Sequence, residues 1–327
     1  MADVARAAGV SPTTVSHVLS GKRPVAESTA ARVRAAIRDS GFKPNHLARS
    51  LRTSRSLSVG LLIPDITNPF YPAVARGLQD ELEPAGYQLL IASTDGRDDN
   101  AGRLIEGMLE RHVDGLVIEA RGLEPAWIHA RIGGGERLVL LGREAVDDRP
   151  DAVLVNDEQG VFEATGLLLG LGHERIAFVG AGGPREAGFE RAQRRHGLDP
   201  STALVRHADL TRAAGAAAVE ELLRLERPPT AVVCANDLLA IGALDAARRV
   251  GLQAPDDLSV TGFDDIEVAA LVTPALTTVR NPAYEIGRTS ARLLLERVAG
   301  EDRPGRRVVL PCPLAVREST VPPRAGG

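Results

Sequence analysis

The sequence predicts an α/β protein in which a small all-α head precedes a larger body built on parallel sheets. Three observations carry that prediction. The first 41 residues hold three short segments with apolar positions at helical spacing, separated by turn-forming residues. From Leu57 onward, near-continuous apolar runs alternate with helical stretches. Charge is also divided: residues 1–57 hold ten Lys or Arg against three Asp or Glu, a net of +7, while the rest of the chain carries −11.

Residues 2–8 read as a short helix with Val4, Ala5 and Ala8 inward, and Gly9-Val10 as the turn after it. Ser11 is a good N-cap for a second helix. Pro12 takes its first position, where a missing N–H costs nothing. That helix runs to about Leu19, with Gly21 past its end. Val10, Val15, Val18 and Leu19 are expected on its buried side, and Thr13 and His17 lie four apart on the other. A third helix spans about 28–39, with Ala30, Val33 and Ile37 at helical spacing and Gly41 after it. Two short helices joined by a tight turn, closed by a third, form the helix-turn-helix pattern.

In that pattern the second helix sets its N-terminal side chains against base edges in the DNA major groove. Thr13 and Thr14 can then donate or accept hydrogen bonds, His17 can reach a purine acceptor or a phosphate, and Pro12 can touch a thymine methyl. Ser11 before them and Arg23 after them complete the head's candidate DNA contacts. A basic head on an acidic body agrees, because the head alone then meets a polyanion. The alternative for such a charge run is a solvated surface.

In the body, strands are expected at 57–64, 87–93, 114–120, 137–142, 152–156, 175–181, 202–209, 230–237 and 258–264. Helices fit between them, for example at 69–83, 157–171, 211–226 and 237–250. Strands this apolar, bounded by helices, belong to parallel sheets covered on both faces. So many strands in a 327-residue chain suggest two sheets, in line with domains of roughly 100–200 residues.

Several classes are excluded by what the sequence lacks. No run of about 18 apolar residues offers a membrane span. No charged segment followed by an apolar stretch opens the chain, so no secretory signal is expected. Cys234 and Cys312 lie far apart and in no CxxC pattern, which suits buried core cysteines in a reducing cytoplasm. "VGAGGPRE" at 179–186 follows a strand and opens a helix, as a dinucleotide fingerprint does, but Arg185 stands where its third glycine belongs. "GGG" at 133–135 reads as a loop. No HExxH, GxSxG or P-loop is present, and none of the seven His lies at catalytic or metal-ligand spacing. No cofactor, metal or enzymatic activity is therefore expected.

Ordered motifs along nearly the whole chain sharpen this reading. They are "DVARAAGVSPTTVSHVLSGK" at 3–22, "PNHLARSLRTSRS" at 44–56, "VGLLIPDITNPFY" at 59–71 and "RHVDGLVIEA" at 111–120. "LGHERIAFVG" at 171–180, "PTAVVCANDLLAIGAL" at 229–244, "SVTGFDD" at 259–265, "TPALTTVRNP" at 273–282 and "VRES" at 316–319 follow. Together they resemble the LacI/GalR family of bacterial transcription regulators. The resemblance implies a helix-turn-helix domain over 1–44, a hinge helix and linker over 45–56, and an effector-binding and dimerisation domain over 57–327. Asn45 would cap the hinge helix, which at 45–52 is too short to persist alone in water. Leu51 would wedge between base pairs in the minor groove, and Arg52, with Arg49, would contact the groove or backbone.

For the body the resemblance implies a two-lobed, periplasmic-binding-protein-like fold. One lobe would take about 57–155 and 282–309, the other about 156–281 and 312–327, with crossing strands near 154–157, 280–282 and 309–313. Ligands of open α/β sheets bind at the carboxyl ends of strands, so a small polar effector, sugar or nucleoside-like, is expected between the lobes. Carried over from the motifs, Phe70 and Tyr71 would form a stacking wall, and Arg185, Asn236 and Asp264 would supply polar contacts; Arg143 is a further candidate contact outside those motifs. Arg, Asn and Asp each pair two neighbouring groups, which suits a hydroxyl-rich ligand. The expected partners are therefore double-stranded operator DNA, the effector and a second copy of the chain. The expected role is that of a cytoplasmic repressor.

The chain departs from the family pattern in places. Relatives have a few residues more, with a Thr capping the first helix; here either the start is misplaced or Ala2-Asp3 leave that helix short of a cap worth about 1 kcal/mol. The segment between Gly183-Pro184 and Arg185 is shorter than in relatives, Leu210 replaces an aromatic, and Gly142-Arg143 stand where many have a nearby Asp. Two other readings follow from these features. One keeps the DNA-binding role but gives control to a protein partner or to no small molecule. The other is a solute-binding protein, which would share the body but not residues 1–56.

Overall fold

The computed structural model describes residues 1–20, 23–41, 55–119, 125–132, 137–143, 149–301 and 303–324. They fall into two compact units, one within 1–56 and the other within 57–327.

The first unit holds helices α1 (Ala2–Ala8), α2 (Pro12–Ser20) and α3 (Glu27–Ser40). Val4, Ala5, Ala8, Val15, Val33 and Ala36 form its core, with Val10, Val18 and Ile37 packed against them. Each of α1 and α3 ends on a glycine in the left-handed conformation, Gly9 and Gly41, which lets the chain turn sharply. No side chain caps α1. Leu19, expected inside, is 37% exposed. It lies in the last turn of α2.

The second unit contains two six-stranded sheets. The first uses β1 (Ser58–Ile63), β2 (Gln88–Ser93), β3 (Gly115–Ile118), β4 (Leu138–Leu141), β5 (Asp151–Val155) and β11 (Arg307–Leu310). Its order is β11-β5-β4-β3-β1-β2, and every pairing is parallel. The second uses β6 (Ile176–Gly180), β7 (Leu204–His207), β8 (Ala231–Cys234), β9 (Ser259–Phe263), β10 (Thr277–Val279) and β12 (Leu314–Ala315). Its order is β12-β10-β9-β8-β6-β7, parallel except for the short β12. Each apolar run read from the sequence contains one of these strands, except that β5 starts one residue before its run.

Helices cover both faces, as buried parallel sheets require. Along the first sheet, α4 (Phe70–Leu82) and α11 (Ala283–Ala299) contribute to one core, while α5 (Ala101–Glu110) and α6 (Pro125–Arg131) contribute to another. The second sheet is flanked by α7 (Asp157–Gly170), α8 (Pro184–Arg195), α9 (Arg212–Leu223) and α10 (Asp237–Arg249). The chain passes between the sheets three times: after β5, after β10 and between β11 and β12. Of the crossing strands expected near 280–282 and 309–313, the first is a connection and the second is strand only at Val309 and Leu310, the end of β11. Pro282, Pro311 and Pro313 bring no backbone N–H to a ladder, which accounts for the interruption.

Candidate functional site

Each unit carries one candidate site. In the head, α2 begins as its sequence dictates. The Thr14 backbone N–H donates to Ser11 Oγ at 3.1 Å, and Pro12 occupies the first helical position. Val15 is completely buried, while Ser11, Pro12 and Thr13 are exposed and Thr14 and His17 half-buried. The Thr14 hydroxyl lies 3.0 Å from Ser11 Oγ, so it already has a partner at the cap. Arg23 is exposed beyond the helix. Asn45, Leu51 and Arg52 lie outside the described residues.

In the body, a cavity of about 310 Å³ opens where both sheets end. Its wall includes Phe70, Tyr71, Arg143, Arg185, Asn236 and Asp264, so all six body residues singled out in the sequence meet in one place. Phe70 and Tyr71 open α4, their rings edge to face at 5.1 Å between centroids. The Tyr71 hydroxyl donates to Glu119 Oε1 at 3.0 Å.

Arg185, at the start of α8, organises one side. Its Nε donates to Asp157 Oδ1 at 2.6 Å, its Nη1 to the Ala235 carbonyl at 2.5 Å, and its Nη2 lies 3.7 Å from Asp264 Oδ1. The guanidinium also stacks 3.8 Å above the centre of the Phe263 ring. Burial opposes its charge, yet Asp157 and then Asp264 more than offset this, so its pKa is raised above the ordinary arginine value.

Asp264 follows β9 with φ at 115°, a left-handed conformation that a non-glycine residue adopts at a cost of about 1–3 kcal/mol. Its N–H donates to the Val279 carbonyl at 2.9 Å, and its Oδ1 accepts from Asn281 Nδ2 at 3.0 Å. Asn236 serves the fold as well as the cavity: it caps α10, accepting from Leu239 N at 2.9 Å and donating to the Leu210 carbonyl at 3.1 Å. One amide hydrogen of Asn236 remains beyond these bonds.

The cavity also enlists residues that the sequence reading did not single out: Asn68, Glu119, Asp157 and Asn281. Position is a signal for two of them: Glu119 stands at the end of the apolar run 114–120 and Asp157 directly after 152–156. Asn281 is 5% exposed, and its Oδ1 has no hydrogen-bond partner. No group of three or more His, Cys, Asp or Glu able to hold a metal occurs among the described residues. Among those residues no helix is long and apolar enough to cross a membrane.

Comparison with known proteins supplies an independent measure. Residues 1–45 match the family model for bacterial regulatory proteins of the lacI family, and residues 165–320 match that for a periplasmic binding protein-like domain. The catabolite control protein A of Priestia megaterium is 33% identical over 325 residues, covering 97% of this chain and 98% of that protein. The lac repressor dimer bound to operator and the anti-inducer ONPF superposes with a TM-score of 0.85 at 26% identity, over 98% of each chain. A LacI family transcriptional regulator from Enterococcus faecium with bound ribose superposes with a TM-score of 0.75 at 29% identity, over 81% of this chain and 99% of that one.

Proposed function

Taking as premise that this chain belongs to the lacI family of bacterial regulatory proteins, we propose that it is a cytoplasmic, homodimeric repressor controlled by a small polar effector. The observation that carries the DNA-binding role is the build of α2. It is capped by Ser11 and anchored at Val15, and it presents Pro12, Thr13 and His17 away from its own core. Two such helices in a dimer read a pseudo-palindromic operator, whose symmetry mirrors the protein's own. The base contacts are Pro12, Thr13 and His17; Ser11, Thr14 and Arg23 support or flank them. Asn45, Leu51 and Arg52 act as hinge cap, minor-groove wedge and groove contact.

The cavity is the effector site. At about 310 Å³ it suits a ligand at the small end of those that protein pockets accept, such as a monosaccharide or a nucleoside. Phe70 and Tyr71 offer the apolar wall, and Arg143, Arg185, Asn236 and Asp264 the polar one. The effector acts by favouring one arrangement of the body, and that preference is felt as a change in operator affinity.

The test is a fluorescence-anisotropy titration of the purified chain against its own upstream DNA, at two salt concentrations, with and without pooled sugars and nucleosides. Tight, competitor-resistant binding that weakens steeply with salt and changes with one pool is the expected result. Binding that no pool alters removes the small-molecule effector and favours control by a protein partner. Absence of specific binding removes the repressor reading.

A further inference from the structure

We propose that the cavity selects an uncharged ligand rich in hydrogen-bond donors, and rejects the phosphorylated form of the same molecule. This rests on the reading of the cavity as the effector site and adds the charge of the effector to it.

Charge is the first observation. The described residues on the wall include three carboxylates, Glu119, Asp157 and Asp264, against two guanidiniums, Arg143 and Arg185. Arg185 is the obvious anchor for a phosphate, but its charge is already answered. Asp157 Oδ1 lies 2.6 Å from Nε and Asp264 Oδ1 lies 3.7 Å from Nη2, while Nη1 is held by the Ala235 carbonyl. One face of the guanidinium is closed by Phe263. A phosphate reaching Arg185 must therefore sit beside two carboxylates, and like charges brought together in a partly desolvated site are strongly unfavourable.

Hydrogen-bonding capacity is the second observation, and it is independent of the first. Asn281 donates through Nδ2 to Asp264 Oδ1 at 3.0 Å. A carboxylate only accepts, so this bond fixes which end of the amide faces Asp264. The Oδ1 atom is left buried on the cavity wall without a partner, and a buried acceptor of that kind calls for a donor. Among the nearby donors, Arg185 Nε and Nη1 are engaged by Asp157 and Ala235, and one amide hydrogen of Asn236 by Leu210. The wall thus asks for hydroxyls or amines from the ligand. A phosphate dianion, which brings acceptors and negative charge, fails on both counts.

Asp157 is then a specificity-determining position that acts through Arg185, and Asn281 is a direct ligand contact. The experiment is isothermal titration calorimetry on the full chain with matched pairs: ribose and ribose 5-phosphate, glucose and glucose 6-phosphate, adenosine and its 5′-monophosphate. In any pair that binds, the neutral member is expected to bind at least about 100-fold more tightly than the phosphorylated one. Asp157→Asn should narrow that gap by about tenfold or more by leaving Arg185 under-compensated. Asn281→Leu should weaken the neutral ligand about tenfold without improving the phosphorylated one. Circular dichroism and the ligand-free melting temperature confirm that each variant folds. Equal or tighter binding of a phosphorylated member by the unaltered chain overturns the selectivity and leaves the effector reading standing. If no compound binds, and operator affinity is indifferent to all of them, the effector reading falls and the selectivity with it.

Discussion

Asp237 shows how a single residue can serve the fold while standing next to the site. It is fully buried at the first position of α10, directly after the cavity residue Asn236. Its Oδ2 accepts from the Ile266 backbone N–H at 2.9 Å, and its Oδ1 lies 2.5 Å from the Thr278 hydroxyl. Burial first, and the nearby Asp264 next, push its carboxyl well above the usual carboxylate range. A carboxyl whose native pKa is raised contributes stability that is complete below its unfolded pKa and declines as pH climbs toward the native value. Asp237→Asn keeps an acceptor for Ile266 and a donor for Thr278 without a charge to bury. The variant is expected to match or exceed the parent at about pH 8 and to lose that advantage at about pH 5, by urea denaturation at both. A loss at pH 8 as large as that of Asp237→Ala would show that the carboxyl is ionised in the native state. Asp151 has the opposite sign. Burial raises its pKa, but the bonds from Arg303, Arg297 and the Arg306 N–H prevail and lower it. Its contribution is therefore present above its unfolded pKa and lost as pH falls through the native one. Removing this carboxylate with Asp151→Ala strands the buried Arg297, while Arg303 keeps Glu296 and Glu301, and should cost about 3–5 kcal/mol, read from the shift in denaturation midpoint.

Between elements, the fit of α4 against α11 is set by the absence of side chains. A Cβ at Gly77 would run into the Tyr284 carbonyl oxygen, and one at Gly287 into the carbonyl oxygen of Val74. The two helices therefore cross backbone to backbone, and the crossing is laced at its edge by Arg288–Glu81 at 2.7 Å and Tyr284–Asp80 at 3.0 Å. Gly287→Ala must push the helices apart. It is expected to destabilise the body by about 1–3 kcal/mol despite the better helix propensity of alanine, as measured by thermal or urea unfolding. A gain in stability would mean that the helices separate without loss. Such close crossings are invisible to periodicity, which registers a glycine in a helix only as a weak position. Strands of the body were legible for the converse reason: parallel strands buried on both faces must be apolar along their whole length, and runs such as 58–63 and 231–234 announce themselves. The cavity was half legible. Motif positions led to Phe70, Tyr71, Asn236 and Asp264, and Arg143 and Arg185 were singled out beside them, whereas Asp157, Glu119 and Asn281 are brought to the wall by sheet order. Leu19 was misread because helical spacing gives the direction of a side chain and not the extent of the helices packed against it.

For the whole molecule, the question is how the proposed ligand in the body can matter to a head that forms a compact unit of its own. Thermodynamic linkage answers without needing the path. If the effector changes operator affinity by some factor, the operator must change effector affinity by the same factor, because the two routes round the cycle begin and end in the same states. The body has structural features on which such a coupling can draw. Asp264 and Asp265, with φ of 115° and 53°, hold a strained turn at the cavity. Asp265 accepts from Arg280 Nε at 2.8 Å and Arg317 Nη2 at 2.6 Å, which ties that turn to the passage after β10 and to the C-terminal segment. A ligand held by Asp264 and Asn281 therefore bears on the connections between the two sheets. The expected outcome is quantitative: the ratio of operator Kd values with and without saturating effector equals the ratio of effector Kd values with and without saturating operator. A body spanning 57–327 should bind the effector with the affinity of the DNA-free full chain and be indifferent to operator. Asp264→Ala should leave operator binding intact and return both ratios to one. Unequal ratios under matched conditions would point to a second effector site or a change of assembly state, and an Asp264→Ala chain that still responds would move the sensor away from this turn.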